Sequence, residues 1–321
     1  MPLLFSEYLQ KDRVAVAQFR SGMALEMSCP FEIRPTHPNG KAVLLIHGLL
    51  ASPYIMRSIG AWMAEHGYLV RAIRLSGHGT DYTQLRQVHY PDWLATCRYG
   101  IETLQAEAGI NEISAIGFSL GAILALMLSF EFKLRGLGLI APCFEISALT
   151  KLFPTLCKLK LDRILPDLFC TQSEPINWGS YSRFPIHAVA ELQKLLRDYR
   201  TQAAQQKTWP PIFGAASLDD HTVKTSATIE AFQTFPAAHS HLKLYTAADF
   251  AQTPHIITLS HVALPVAPTD PYFGKEGEYY GVLPPETQFG EPTWRDKYKP
   301  IKRLTYNPDF QNMMSLLLPY V

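Results

Sequence analysis

Four short apolar runs alternate with helical stretches through the first 142 residues, and this alternation limits the fold more than any other feature. The runs are KAVLLI (Lys41 to Ile46), YLVRAIRL (Tyr68 to Leu75), EISAIGF (Glu112 to Phe118) and LRGLGLIAP (Leu134 to Pro142). Between them stand SPYIMRSIGAWMAEHGY, DWLATCRYGIETLQAEAG and LGAILALMLSFEF. Each is long enough for a helix, with Ser52 and Pro53 at the start of the first and Asp92 at the start of the second. Strands that are apolar on both faces must be covered on both, and a helix between successive strands returns the chain for parallel pairing. The expectation is an α/β fold, with a mostly parallel central sheet covered by helices on both faces.

After Pro142 the rhythm changes. From residue 147 to residue 209 the pattern is helical only, first in LTKLFPTLCKLKLDRILPDLF and then in HAVAELQKLLRDYRTQ, where Val189, Leu192, Leu196 and Tyr199 share one face. Strand-like runs resume with PIFGAASL, LKLYTA and HIITLS, with a helix around Val223 to Phe235 between the first two. The expected organisation is residues 1–146 as the N-terminal part of the core, 147–209 as an inserted helical cap, and 210–321 as the rest of the core with an extended tail. The tail is rich in Pro, Gly and Tyr, reads as an ordered surface loop, and closes on a helix, NPDFQNMMSLLL, with Asn307 as cap and Pro308 in the first turn.

A net charge of +1 with 47% hydrophobic and 18% charged residues gives no electrostatic reason to expect a nucleic-acid partner. Cys29, Cys97, Cys143, Cys157 and Cys170 form no CxxC pair, so neither a zinc site nor a disulfide framework is expected. A reducing compartment, and hence the cytoplasm, is the expectation, and MPLLFSEYLQKDR carries no signal-peptide pattern. AILALMLSF is shorter than the ~20 residues that a bilayer requires and reads as a buried helix. No phosphate-binding loop is present, and no metal or organic cofactor is required.

Gly117-Phe118-Ser119-Leu120-Gly121 sits where the third run ends and its helix begins. In that position the backbone is forced into a strained turn, and both flanking residues must be tiny for strand and helix to approach. Ser119 then projects from the C-terminal edge of the sheet beside free helical N–H groups, where negative charge is favoured. This placement marks Ser119 as a candidate nucleophile.

A serine hydroxyl needs a base, and an imidazole serves best when a carboxylate fixes its tautomer. Asp219 and Asp220 directly follow PIFGAASL, on the rim where ligands bind in open α/β sheets, and either suits the acid. His261 follows HIITLS at its outgoing end, whereas His255, His239 and His241 lie at the incoming ends of their strands. For an oxyanion, one N–H is expected from Leu120, after the nucleophile, and the other from Leu49 in the loop His47-Gly48-Leu49-Leu50.

The stretches LLIHGLLASPYIMRSIGAWMAEHGYLVRAIRLSGHGT, IGFSLGA, SLDDHTV and SHVALP resemble the α/β-hydrolase superfamily, and within it the capped carboxylesterase and monoacylglycerol lipase branch. The resemblance covers most of residues 40–265. It implies that Asp220, followed three residues later by Val223, is the acid, and that Ser260-His261-Val262 carries the base. Two features depart from that pattern: a second strand-like run between acid and base, and 60 residues after His261 (321 − 261).

The expected activity is serine-dependent hydrolysis of carboxylic esters with a medium or long acyl chain, through an acyl-enzyme. Thioester or amide hydrolysis by the same triad, and a non-catalytic binding protein of the same fold, are the alternatives. Leu152, Phe153, Leu156, Leu159, Leu161, Ile164, Leu165, Leu168 and Phe169 offer apolar area in the cap for an acyl chain or for packing onto the body. Lys151, Lys158, Lys160 and Arg163 among them allow peripheral membrane contact, or form a solvated face. The expected partner is a small ester or lipid-like substrate, and oligomeric state is not legible.

Overall fold

The computed structural model describes residues 4–146, 148–161, 181, 185–220, 222–246, 249, 256–275 and 302–321. Nine strands are found among them: β1 (Phe31–Ile33), β2 (Lys41–Ile46), β3 (Leu69–Ile73), β4 (Glu112–Phe118), β5 (Leu137–Ile140), β6 (Ile212–Ser217), β7 (Ser240–Tyr245), β8 (Ile256–Leu259) and β9 (Lys302–Leu304). The first seven form one sheet in the order β1-β3-β2-β4-β5-β6-β7. Only β1 runs antiparallel, against β3.

The doubly apolar strands do what their pattern requires. Along β2, Ala42, Leu44 and Ile46 face one core while Val43 and Leu45 face the other. The first core is closed by helices Tyr90–Gln105 and Leu120–Glu131, and the second by helices Arg57–Glu65 and Phe310–Leu317. Helix Leu120–Glu131 has every residue from Leu120 to Leu128 buried, as the run AILALMLSF predicts. Among the described residues no helix is long and apolar enough to cross a membrane.

Several boundaries shift for local reasons. The helix expected from Asp92 starts at Tyr90, because Pro91 fits the first turn and the Asp92 carboxylate accepts the His89 N–H at 2.9 Å, as a capping residue in the third position does. The closing helix starts at Phe310 rather than beside Asn307. Asn307 is fully buried, and its Oδ1 accepts the Asp309 N–H at 2.9 Å, so it shapes the approach to the helix from one turn earlier. HIITLS is no strand of the main sheet: β8 pairs with β9, a separate parallel ribbon drawn from the tail. Among the described residues the main sheet therefore has one strand, β7, between the Asp220 and His261 positions, which removes the first departure from the family pattern.

Within 147–209 the described elements are helical: a 3₁₀ turn Ala148–Leu152, helix Phe153–Lys158 and helix Ile186–Ala203. Val189, Leu192, Leu196 and Tyr199 are all buried on one face of the last, in the same core as helix Leu120–Glu131. Ile164, Leu165, Leu168, Phe169, Arg163 and Cys170 lie outside the described residues. Helices Phe5–Ala17 and Gly22–Ser28 precede the sheet; the first is held to it by a buried ion pair from Asp12 to Arg74, whose Nε lies 2.7 Å from the carboxylate, and the second is tied to the first by Arg13 and Glu26.

Candidate active site

β4 ends at Phe118 and the helix begins at Leu120, so Ser119 is the whole of the turn. It holds φ 56° and ψ −115°, in the region that side chains rarely adopt. The flanking glycines explain how this is tolerated. A Cβ on Gly117 would lie 2.1 Å from the Gly121 carbonyl oxygen, and one on Gly121 would lie 2.1 Å from that of Ile46. Both contacts are with backbone, so the helix can approach the sheet this closely only with hydrogen at both positions. The residue is 8% exposed.

The loop after β2 presses on this turn. A Cβ on Gly48 would stand 3.0 Å from Ser119 Cβ and 3.1 Å from Phe118 Cδ1. His47, fully buried, accepts the Leu75 N–H at Nε2 (3.1 Å), so its Nδ1 carries the proton and donates to the Gly48 carbonyl at 2.8 Å. Burial, with His78 nearby, holds the His47 pKa well below the usual imidazole range, and the ring stays neutral in this tautomer. His47 thereby braces the loop that carries Leu49. Leu120 is the first residue of its helix, so its N–H has no acceptor within the helix.

On the same C-terminal rim of the sheet, the loop carrying Asp220 follows β6 in a tight turn. Asp220 Oδ1 accepts the N–H groups of Thr222 (2.7 Å) and Val223 (3.0 Å), and Oδ2 lies 2.6 Å from His261 Nδ1. The Asp220 side chain is 1% exposed and that of His261 7%. Burial pushes the Asp220 pKa up, but the charge and hydrogen bond of His261 and the two backbone donors outweigh it and hold the carboxyl below its ordinary value. His261 begins a 3₁₀ turn directly after β8, and its ring packs on Phe118 with centroids 4.9 Å apart. Phe118 is the residue before Ser119, so the imidazole is set against the strained turn.

Of the two adjacent acids, only Asp220 is hydrogen-bonded to His261 among the described residues. The Asp219 N–H donates to Ser217 Oγ at 3.2 Å, while its buried Oδ2 finds no partner among the described residues. His241 stacks on Phe213 and His239 ends a 3₁₀ turn, while His255 lies outside the described residues.

Tyr181 escaped the sequence reading. Its hydroxyl accepts the Thr80 N–H at 3.0 Å and donates to the Gly77 carbonyl at 2.8 Å, and its own N–H donates to Leu50 O at 3.0 Å. A single residue of the cap region thus ties the GHGT loop to the loop after β2. Lys224 was also missed: its N–H donates to Glu145 O at 3.0 Å and its Nζ sits 2.8 Å from the Glu145 carboxylate, joining the acid loop to the segment after β5. A tyrosine or a lysine in a polar stretch carries no signal for such bonds.

Sheet order, strained serine turn and rim placement together define an α/β-hydrolase. Residues 37–249 match the family described as serine aminopeptidase, S33 (Hydrolase_4), and the chain belongs to this family. It is 25% identical over 221 residues to a carboxylesterase of Bacillus subtilis (strain 168), spanning 68% of this chain and 86% of the relative. A thermostable monoacylglycerol lipase of Bacillus sp. (strain H-257) is 28% identical over 184 residues, spanning 56% and 71%. Among solved structures, a metagenome-derived lipolytic enzyme superposes with a TM-score of 0.56 at 19% identity, over 73% of this chain and 89% of that one, and shares the fold.

Proposed function

We propose that this protein is a serine-dependent carboxylic ester hydrolase of the esterase and lipase type, with Ser119 as nucleophile, His261 as base and Asp220 as the acid that orients it. The observation that carries this reading is the 2.6 Å bond from His261 Nδ1 to Asp220, made by an imidazole packed against the residue before Ser119. With Nδ1–H held by the carboxylate, Nε2 keeps the lone pair that takes the Ser119 proton as Oγ attacks the ester carbonyl. Leu49 and Leu120 supply the two N–H groups for the oxyanion. The proton then passes to the leaving alcohol, and water releases the acyl group from Ser119 by the same route in reverse.

The cap and the relatives support a particular substrate class. Leu152 and Leu159 are more than 60% exposed and lie close in sequence to Lys151, Lys158 and Lys160, a mixture suited to a lipid or micelle surface. A medium or long acyl chain is the favoured substrate, each buried methylene contributing about 0.8 kcal/mol. Peptide or amide cleavage is the second reading, favoured by the description of the family.

The test is a p-nitrophenyl ester series graded from acetyl to palmitoyl, run beside thioesters and aminoacyl amides. Hydrolysis should rise with acyl length. Ser119→Ala should lose it by several orders of magnitude, and a fluorophosphonate should label wild type only. Full activity in Ser119→Ala would end the proposal.

A further inference from the structure

His187 and Glu191 stand four residues apart on helix Ile186–Ala203, so they share one face. That face meets the start of helix Tyr90–Gln105, where His89 is the N-cap. One ring nitrogen from each histidine and one carboxylate oxygen lie within 4.8 Å of one another. None of these residues takes part in the proposed hydrolysis.

From this cluster we infer a divalent transition-metal site, best suited to Zn²⁺, with His89, His187 and Glu191 as ligands, clipping the cap helix to the core. His89 Nδ1 is 3.2 Å from Glu191 Oε1. Two donors on one tetrahedral zinc, with bonds near 2.0–2.1 Å, stand ~3.3 Å apart, so this pair already has the spacing of shared ligands. His187 Nε2 lies 3.0 Å from the Val88 carbonyl oxygen. A ring nitrogen facing a carbonyl carries the proton, which puts the lone pair on Nδ1. Metal-bound imidazoles are oriented in this way by a backbone acceptor.

Glu191 is 1% exposed, and the partners that meet its buried carboxylate also hold it in place beside the two imidazoles. Its Oε2 accepts the Tyr90 N–H at 3.1 Å, and its Oε1 meets Lys194 Nζ at 2.5 Å. The lysine is about one-third exposed and can swing into water, yielding Oε1 to a metal while Oε2 keeps its hydrogen bond. Two imidazoles and one carboxylate suit zinc and its neighbours rather than Ca²⁺ or Mg²⁺, which take oxygen ligands. Three protein ligands leave the fourth position to water.

The experiment uses the full-length protein stripped with EDTA and dialysed against Zn²⁺, with Co²⁺ as the visible-spectrum probe. One Zn²⁺ per chain is expected, with a tetrahedral Co²⁺ spectrum and slower hydrogen exchange at the ends of helices Ile186–Ala203 and Tyr90–Gln105. His89→Ala, at an exposed position where folding is preserved, should weaken binding at least tenfold, as should His187→Ala. Lys194→Met should tighten binding severalfold, because the metal no longer competes with an ammonium for Glu191. Absence of uptake, uptake that His89→Ala leaves unchanged, or unaltered affinity in Lys194→Met would each overturn the site. Ester hydrolysis is not the readout, so its failure and that of the metal site are separable.

Discussion

Ser119 is held by the residues next to it in sequence, whereas His261 and Asp220 come from loops 41 residues apart and meet through one hydrogen bond. The serine turn is fixed by backbone contact: β4 ends, the helix begins, and glycines at 117 and 121 let the two touch. The Asp220–His261 pair is fixed by polar contacts and by a small ribbon, β8 with β9, outside the main sheet. Sterics set one half of the centre and electrostatics the other, so the two halves should fail differently.

The largest effect is expected at Gly121. In Gly121→Ala the new methyl would meet the carbonyl oxygens of Ile46 at 2.1 Å and His47 at 2.7 Å, neither of which can yield without moving β2. A loss of stability of about 3 kcal/mol or more is expected, with fluorophosphonate labelling lost as well. Urea unfolding and a labelling time course read both. A variant that unfolds at the wild-type midpoint and labels at the wild-type rate would break the steric half of the comparison.

On the electrostatic half, Asp220→Asn should fold and bind substrate, yet lose about 10³–10⁴-fold in kcat with little change in KM, because the amide no longer fixes the His261 tautomer. Asp219→Asn should cost less than tenfold. The reverse ranking would hand the acid role to Asp219.

The same contrast explains what was legible in the sequence. β2, β4, β6 and the serine turn were readable because each rests on a local rule, a doubly apolar run or glycines at a strand end. Asp220 was not separable from Asp219 by position, and only the likeness to a family favoured it. Side-chain pairing across 41 residues leaves no local mark. HIITLS read as one more strand because an apolar run looks the same whether its partner is the main sheet or residues 302–304. β1 and the two helices before the sheet were missed altogether. β1 has three residues, all half-buried, and so shows neither alternation nor a continuous apolar run. The Asp12–Arg74 pair that secures the first helix spans 62 residues.

Tyr181→Phe tests the coupling of the cap region to both halves at smaller cost. The change removes the hydroxyl between Thr80 N–H and Gly77 O while leaving the backbone bond to Leu50. A loss of about 1–3 kcal/mol is expected for the buried donor left unpaired. KM for long-chain esters should rise more than for acetyl esters, since the GHGT loop is loosened while the Ser119 turn is untouched. Equal changes for both would place Tyr181 in stability alone.

The smallest expected effect is a dependence on pH that only the electrostatic half possesses. The Asp220 carboxyl is held below its ordinary value in the folded chain, burial being outweighed by His261 and two backbone N–H groups. A depressed folded pKa means that the unfolded chain binds the proton more readily, so the ionised carboxylate adds stability above the unfolded value of ~3.9. That contribution disappears as pH falls through the lower folded value. The stability gap between wild type and Asp220→Asn should therefore hold steady from pH 7 to about pH 5 and narrow below about pH 4. The Gly121 contacts are with the backbone oxygens of Ile46 and His47, which carry no titrating proton, so the gap between wild type and Gly121→Ala should stay level over the same range. Urea midpoints across that range decide it: a gap for Asp220→Asn that is flat in acid would show its carboxylate adding no net stability, leaving orientation of His261 as its whole contribution.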